Sequence, residues 1–223
     1  MRNDKNMFYI SEIFKSIEGE GIRTGLPVVF VRFGGCNLSC SYCDTGYAQT
    51  VKDSKLMSRK QILLDILSHN CNRVTFTGGE PLSAGKDFIK WFLEKHLHGM
   101  EVNIETNGSI LIPNWLNDQY RVIITMDYKC FSSGMTSKMV VENLKKLRKR
   151  DVLKFVVGDD KDLEQVVKLV IEHEPQCNIY LSPVFGKMDL QKLAEFVVKH
   201  DKLNLRLGLQ IHKFVWDPNM RGV

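Results

Sequence analysis

The sequence predicts an α/β protein built on one mostly parallel sheet with helices outside it. Short β-branched runs alternate with longer amphipathic stretches from residue 28 to residue 209, the pattern of successive βα units. No repeat, low-complexity segment or Pro/Gly-rich linker interrupts the alternation, so a single domain over residues 1–223 is expected. The unusual polar residues fall in short groups directly after the predicted strands, and in such folds ligands gather at the C-terminal ends of the strands. Two closures stay open at this level, a doubly wound sheet or an incomplete barrel.

Seven strands are expected, at Val28–Phe33, Arg73–Thr77, Glu101–Glu105, Val122–Met126, Val152–Val157, Asn178–Leu181 and Asn204–Leu209. Helices are expected between them at Ser58–Ser68, Lys86–His96, Ser137–Lys149, Leu163–Glu172 and Asp189–Lys199. Ser58 suits an N-cap, and Ile62, Leu63, Ile66 and Leu67 are placed on one helical face. Ser109–Tyr120 contains Pro113 and two asparagines, so the helix there is short or absent.

At 223 residues, with 43% hydrophobic and 26% charged side chains, the composition is that of a globular protein able to bury a substantial core. The start, MRNDKNMFYI, lacks the apolar core of a signal peptide. No apolar stretch approaches the roughly 18 residues of a membrane span, and a cytoplasmic protein is expected. The net charge of +5 comes from dispersed basic residues. The dense run Lys145–Arg150 reads as the solvated end of a helix, so no nucleic-acid partner is expected.

Six cysteines in such a chain favour metal or redox chemistry over a disulfide framework. Cys71, Cys130 and Cys177 stand alone and read as buried or partly buried thiols. Cys36, Cys40 and Cys43 form a C-x3-C-x2-C loop after the first predicted strand. A structural zinc site wants four ligands, usually as paired C-x2-C units, and would need a distant fourth here. A cubane iron–sulfur cluster takes one thiolate per iron, so three cysteines leave one iron open to a cosubstrate. Gly78-Gly79-Glu80-Pro81 follows the second strand, where glycines permit close backbone approach.

The cysteine loop, with Tyr42 before its last cysteine, and the GGEP turn resemble the radical S-adenosylmethionine (SAM) superfamily. That likeness implies an incomplete (β/α) barrel of about six to seven mostly parallel strands, with some helices shortened. It also implies a 4Fe-4S cluster on Cys36, Cys40 and Cys43, with the open iron chelated by SAM. Tyr42, Gly79, Glu80, Asp127, Lys129 and Ser182 match SAM-binding positions.

Further motifs narrow the likeness. Ser16–Gly21, Val29–Leu38, Cys43-Asp44-Thr45, Glu105-Thr106-Asn107-Gly108, Asp127-Tyr128-Lys129 and Leu209–Lys213 resemble the 7-carboxy-7-deazaguanine synthase family over nearly the whole chain. The family usually has Gln at Glu18, and Asp127 and Lys129 depart from its commoner Ser-Pro-Lys form. The resemblance implies a lyase of queuosine and deazapurine biosynthesis. It would convert 6-carboxy-5,6,7,8-tetrahydropterin to 7-carboxy-7-deazaguanine and ammonia by C6 hydrogen abstraction, radical ring contraction, hydrogen return and nitrogen loss. Ile17, Glu18, Gly19, Glu20, Arg32, Thr77 and His212 match pterin-binding positions, with Arg32 suited to the substrate carboxylate. Thr45 matches a Mg²⁺ ligand, a hard cation suited to oxygen. A reducing flavodoxin or ferredoxin and a homodimer are implied as partners. A glycyl-radical-enzyme activase of the same superfamily would share the cysteine spacing but lack the Gly-Glu-Gly and Arg32 arrangement. An iron–sulfur electron carrier would close the cluster with a fourth cysteine.

Overall fold

The computed structural model describes residues 6–96 and 99–223, so the first five residues of the N-terminal stretch lie outside it. Its strands are β1 (Met7–Ile17), β2 (Pro27–Phe33), β3 (Lys55–Ser58), β4 (Arg73–Gly78), β5 (Glu101–Thr106), β6 (Val122–Tyr128), β7 (Val152–Val157), β8 (Asn178–Pro183) and β9 (Leu205–Leu207). They form one nine-stranded sheet in the order β3-β1-β2-β4-β5-β6-β7-β8-β9. Strands β2 and β4 to β9 pair in parallel, while β1 runs antiparallel to both β2 and β3. The sheet is not closed, the geometry of an incomplete barrel.

Two strands exceed the expected six to seven, and both lie at the N-terminal edge. In β1 the pairing register shifts between Ile10 and Glu12, a bulge that breaks the two-residue alternation by which a strand is recognised. The predicted strand at Asn204–Leu209 shrinks to Leu205–Leu207.

Helices α1 (Arg59–Ser68), α2 (Pro81–Ala84), α3 (Lys86–His96), α4 (Asn114–Asn117), α5 (Asn143–Lys146), α6 (Asp160–His173), α7 (Leu190–Lys199) and α8 (His212–Val215) complete the chain. Ser58 caps α1 in a capping box with Gln61, as its sequence position suggests. Ile62 and Ile66 are buried, whereas Leu67 is turned out, so the apolar stripe is narrower than expected.

The helix expected over Ser137–Lys149 is instead the single turn α5 with a short 3-10 segment ahead of it. Arg148 explains the break. Its guanidinium donates to the carbonyls of Leu116, Asn117 and Val122 and to both Asp151 oxygens. The basic run is therefore partly an internal anchor, not simply a solvated helix end.

The apolar core fills the outer, helix-facing side of the sheet. Phe33, Phe76, Phe88 and Phe92 are fully buried, and Phe76 meets Phe92 edge-on with ring centroids 5.2 Å apart. Cys130 and Cys177 are buried and Cys71 is partly buried, as read from the sequence.

Candidate active site

The sheet's inner face is polar. Alternation sends Val74, Phe76, Val102, Ile104, Ile124 and Met126 into the core. The opposite pleats of β4 to β7 carry Thr75, Thr77, Asn103, Glu105, Thr125, Asp127 and Lys154. Above this face lies a cavity of about 660 Å³ lined by inward strand residues, the cysteine loop and the C-terminal segment. That size is in the range of small-molecule sites.

The cysteine loop is fastened from three sides. Gly35 N–H donates to Ala48 O at 2.8 Å and Cys36 N–H to Gln49 O at 3.0 Å. From the GGEP turn, Gly79 N–H reaches Phe33 O at 2.9 Å and Glu80 N–H reaches Gly35 O at 3.0 Å. A Cβ on Gly79 would overlap the Gly35 carbonyl, so this glycine is required by the loop's own approach. Tyr42 OH donates to Val156 O at 3.1 Å, pinning the loop across the cavity to β7.

Cys36, Cys40 and Cys43 all line the cavity. Burial raises the Cys36 and Cys40 thiols above their ordinary pKa, so without a metal they stay protonated. Leu38 N–H, at 3.4 Å, and the Asn107 amide, at 3.7 Å, point at Cys36 Sγ, the donors that stabilise a thiolate ligand. Among the described residues no three His, Cys, Asp or Glu side chains converge on a single ion. A cubane does not require this, because each thiolate takes a different iron. Three separated thiols around a cavity, in a loop held by backbone bonds, fit that cluster.

Charged groups line the rest of the wall in pairs. Arg32 Nε donates to Glu12 Oε1 at 2.8 Å, and Tyr47 OH donates to the same oxygen at 2.6 Å. Lys154 Nζ lies 2.6 Å from Glu20 Oε2 and 3.3 Å from Asp127 Oδ2, and Lys129 Nζ lies 3.0 Å from that Asp127 oxygen. Burial pushes the Asp127 carboxyl up, but Lys129 and Lys154 outweigh it and hold it below its ordinary value. Glu20 Oε1 and Asp127 Oδ1 are buried without a hydrogen-bond partner among the described residues, the condition of groups awaiting a ligand. His212 packs on Gly19, where a Cβ would overlap its Nδ1, and burial lowers its pKa, so the ring is neutral near pH 7.

Of the residues singled out from sequence, Ile17, Glu18, Gly19, Glu20, Arg32, Tyr42, Thr45, Thr77, Gly79, Asp127, Lys129 and His212 line this one cavity with the three cysteines. Two do not. Glu80 is fully buried, and its carboxylate is occupied by Leu82 N–H at 2.9 Å, Thr106 Oγ1 at 2.8 Å and Asn107 N–H at 2.7 Å. It braces the site rather than facing a ligand. Ser182 is buried on the inner face against Gly208 and outside the cavity lining. Asp159, in the polar group after β7, caps α6 through Asp162 N–H at 3.1 Å and also stays out of the mouth.

The Glu18 carboxylate accepts from Arg23 at 2.8 Å and Thr75 at 2.7 Å, so that side chain is committed to the wall. Glu12, Tyr47, Glu105, Asn107 and Lys154 also line the cavity and had no role assigned from sequence. The signal for Lys154 was a charged residue inside an otherwise apolar strand, and for Glu105 its place in the alternation of Glu101, Asn103 and Glu105 with Val102 and Ile104.

An incomplete barrel with three cysteines beside a glycine-braced cavity defines a radical SAM protein, and residues 30–122 match the family model for the radical SAM superfamily. A 7-carboxy-7-deazaguanine synthase from Clostridium acetobutylicum is 43% identical over 97% of this chain and 99% of its own. One from Methanospirillum hungatei JF-1 is 37% identical over 94% of this chain and 86% of its own. The chain belongs to the 7-carboxy-7-deazaguanine synthase family. The crystal structure of QueE from Escherichia coli shares the fold, with a TM-score of 0.72 at 24% identity, covering 91% of this chain and 93% of that one.

Proposed function

We propose that this enzyme converts 6-carboxy-5,6,7,8-tetrahydropterin to 7-carboxy-7-deazaguanine and ammonia. The observation that carries the reading is Arg32. Its Nε is held by Glu12, which leaves the outer guanidinium nitrogens for a substrate carboxylate at the mouth. The cluster on Cys36, Cys40 and Cys43, with SAM, supplies one-electron hydrogen abstraction when bound. The chain's own work is to bind, orient and enclose the pterin.

Thr77 and the backbone of Ile17, Glu18 and Gly19 border the pterin space, with Glu20 and His212 facing it. Asp127, Lys129 and Tyr42 border the SAM side. Neutral His212 can both donate and accept a hydrogen bond.

For Mg²⁺, Thr45 Oγ1 bonds Asp44 Oδ1 at 2.9 Å, while Lys213 holds Asp44 Oδ2 at 2.9 Å, which makes an oxygen-rich corner suited to a hard cation. A flavodoxin or ferredoxin as reductant, a homodimer and a cytoplasmic setting complete the proposal. No helix among the described residues is long and apolar enough to cross a membrane.

Anaerobically reconstituted protein given reductant, SAM and Mg²⁺ is expected to turn over the carboxylated tetrahydropterin and ignore the same pterin without its carboxylate. Changing Thr45 to Ala should weaken the Mg²⁺ dependence. SAM cleavage that requires a protein partner, with no pterin product, would point to the activase reading instead.

A further inference from the structure

We infer that Glu105 is the proton donor and acceptor for the ammonia-releasing half of this reaction, which rests on the function proposed above. The other carboxylates that β1, the segment after it and β6 bring to the wall each have a cation at ion-pair distance. Glu12 has Arg32 at 2.8 Å, Glu18 has Arg23 at 2.8 Å, Glu20 has Lys154 at 2.6 Å, and Asp127 has Lys129 at 3.0 Å. Asp44, at the rim, has Lys213 at 2.9 Å. Glu105 forms no ion pair among the described residues. Thr77 Oγ1 donates to its Oε2 at 2.7 Å, and its other oxygen is free toward the cavity.

The surroundings decide its protonation. Burial acts first, and Glu18 and Glu20, from the segment after β1, add repulsion. Lys154 on β7 and the Thr77 hydroxyl on β4 pull the other way, while Arg32 on β2 and Asp127 on β6 are taken up by Glu12 and Lys129. The balance leaves the carboxyl pushed up to about 7, where both forms are populated at neutral pH. Lys154 cannot share the role. Burial pulls its ammonium down, but Glu20, Asp127 and Glu105 hold it well above its ordinary value, so it keeps its proton.

The chemistry requires such a group. Once the carbon skeleton is contracted, aromatisation is an elimination. The carbon–nitrogen bond breaks, and the nitrogen keeps the electron pair and takes a proton. The neighbouring carbon–hydrogen bond then releases its proton, and its electrons become the new ring double bond. One proton is given and one is taken. A carboxyl that protonates the leaving amine and then accepts the carbon proton returns to its starting state, and no oxidant or reductant is consumed.

The test uses reconstituted enzyme with substrate deuterated at C6. Glu105→Gln keeps the size and the Thr77 contact but cannot titrate. Deuterium transfer to SAM should stay within about twofold of the unaltered enzyme, while ammonia release falls by about 100-fold. An isomer of the substrate that retains its nitrogen should accumulate. Ammonia release by the unaltered enzyme should decline as pH rises through about 7, and the residual release of the variant should be flat. Release at the unaltered rate, or deuterium transfer and release falling together, overturns the assignment. No deuterium transfer in the unaltered enzyme overturns the proposed function, and this inference with it. Should thermal melting show Glu105→Gln unfolded, Glu105→Asp must displace the pH limb, and an unchanged limb overturns the assignment equally.

Discussion

Glu80 braces the site, and its removal should be costly in the protein without cluster or SAM. Its buried carboxylate receives the Leu82 and Asn107 N–H groups and the Thr106 hydroxyl, at 2.9, 2.7 and 2.8 Å. Glu80→Ala strands all three donors where water does not reach. At 1–3 kcal/mol for each buried unsatisfied group, with overlap between neighbours, the expected loss is about 3–6 kcal/mol. That is a large share of a total stability of about 5–15 kcal/mol. For a chain of this length it lowers Tm by about 6–24 °C.

Glu80→Gln should cost about 1–3 kcal/mol, because either placement of its amide turns an N–H toward the Leu82 or Asn107 N–H. Urea unfolding of the apo protein under reducing conditions measures both. If both variants unfold within about 1 kcal/mol of the unaltered chain while losing SAM affinity, Glu80 is a ligand group and the bracing role is refuted.

Glu12→Ala frees the Arg32 guanidinium and the Tyr47 hydroxyl, so KM for the carboxylated pterin should rise about 10-fold with kcat little changed. Steady-state kinetics check this, and an unchanged KM would remove Arg32 as the carboxylate reader. Gly79→Ala drives a methyl into the Gly35 carbonyl, so iron analysis after reconstitution should show poor cluster loading.

The Asp127 carboxyl lies below its ordinary pKa in the folded protein, so the unfolded chain takes up its proton first as pH falls. Its contribution is therefore present above about pH 4 and lost as pH drops through the lower folded value. Urea midpoints between about pH 6 and about pH 3 should fall less steeply in Asp127→Asn, measured from its own starting stability.

The parallel part of the fold was legible because buried strands such as Val152–Val157, broken only by Lys154, are near-continuous apolar runs between helical ones. Strand β1 was not, because its bulge and half-exposed sequence FYISEIFKSI leave no clean period. Arg148 ends α5 by gathering carbonyls from α4 and the start of β6, contacts distant in sequence and invisible to local propensity.

In the site, the ligand loop was readable because its chemistry is local: three cysteines within eight residues. What escaped were roles set by partners. Glu80 reads as a ligand carboxylate until Thr106 and Asn107 fold against it, and Glu105 is distinguished by lacking a cation that its neighbours possess. Glu12 and Tyr47, 35 residues apart, become a pair only across the sheet edge.

The most direct test of the central claim is the balance of product against SAM in a single anaerobic reaction, followed by mass spectrometry. Many molecules of 7-carboxy-7-deazaguanine and ammonia should form per SAM supplied, with SAM recovered intact and the product absent when Cys40 is changed to Ala. SAM consumed with no deazaguanine acid formed, or product formed undiminished by the Cys40 change, would contradict the account.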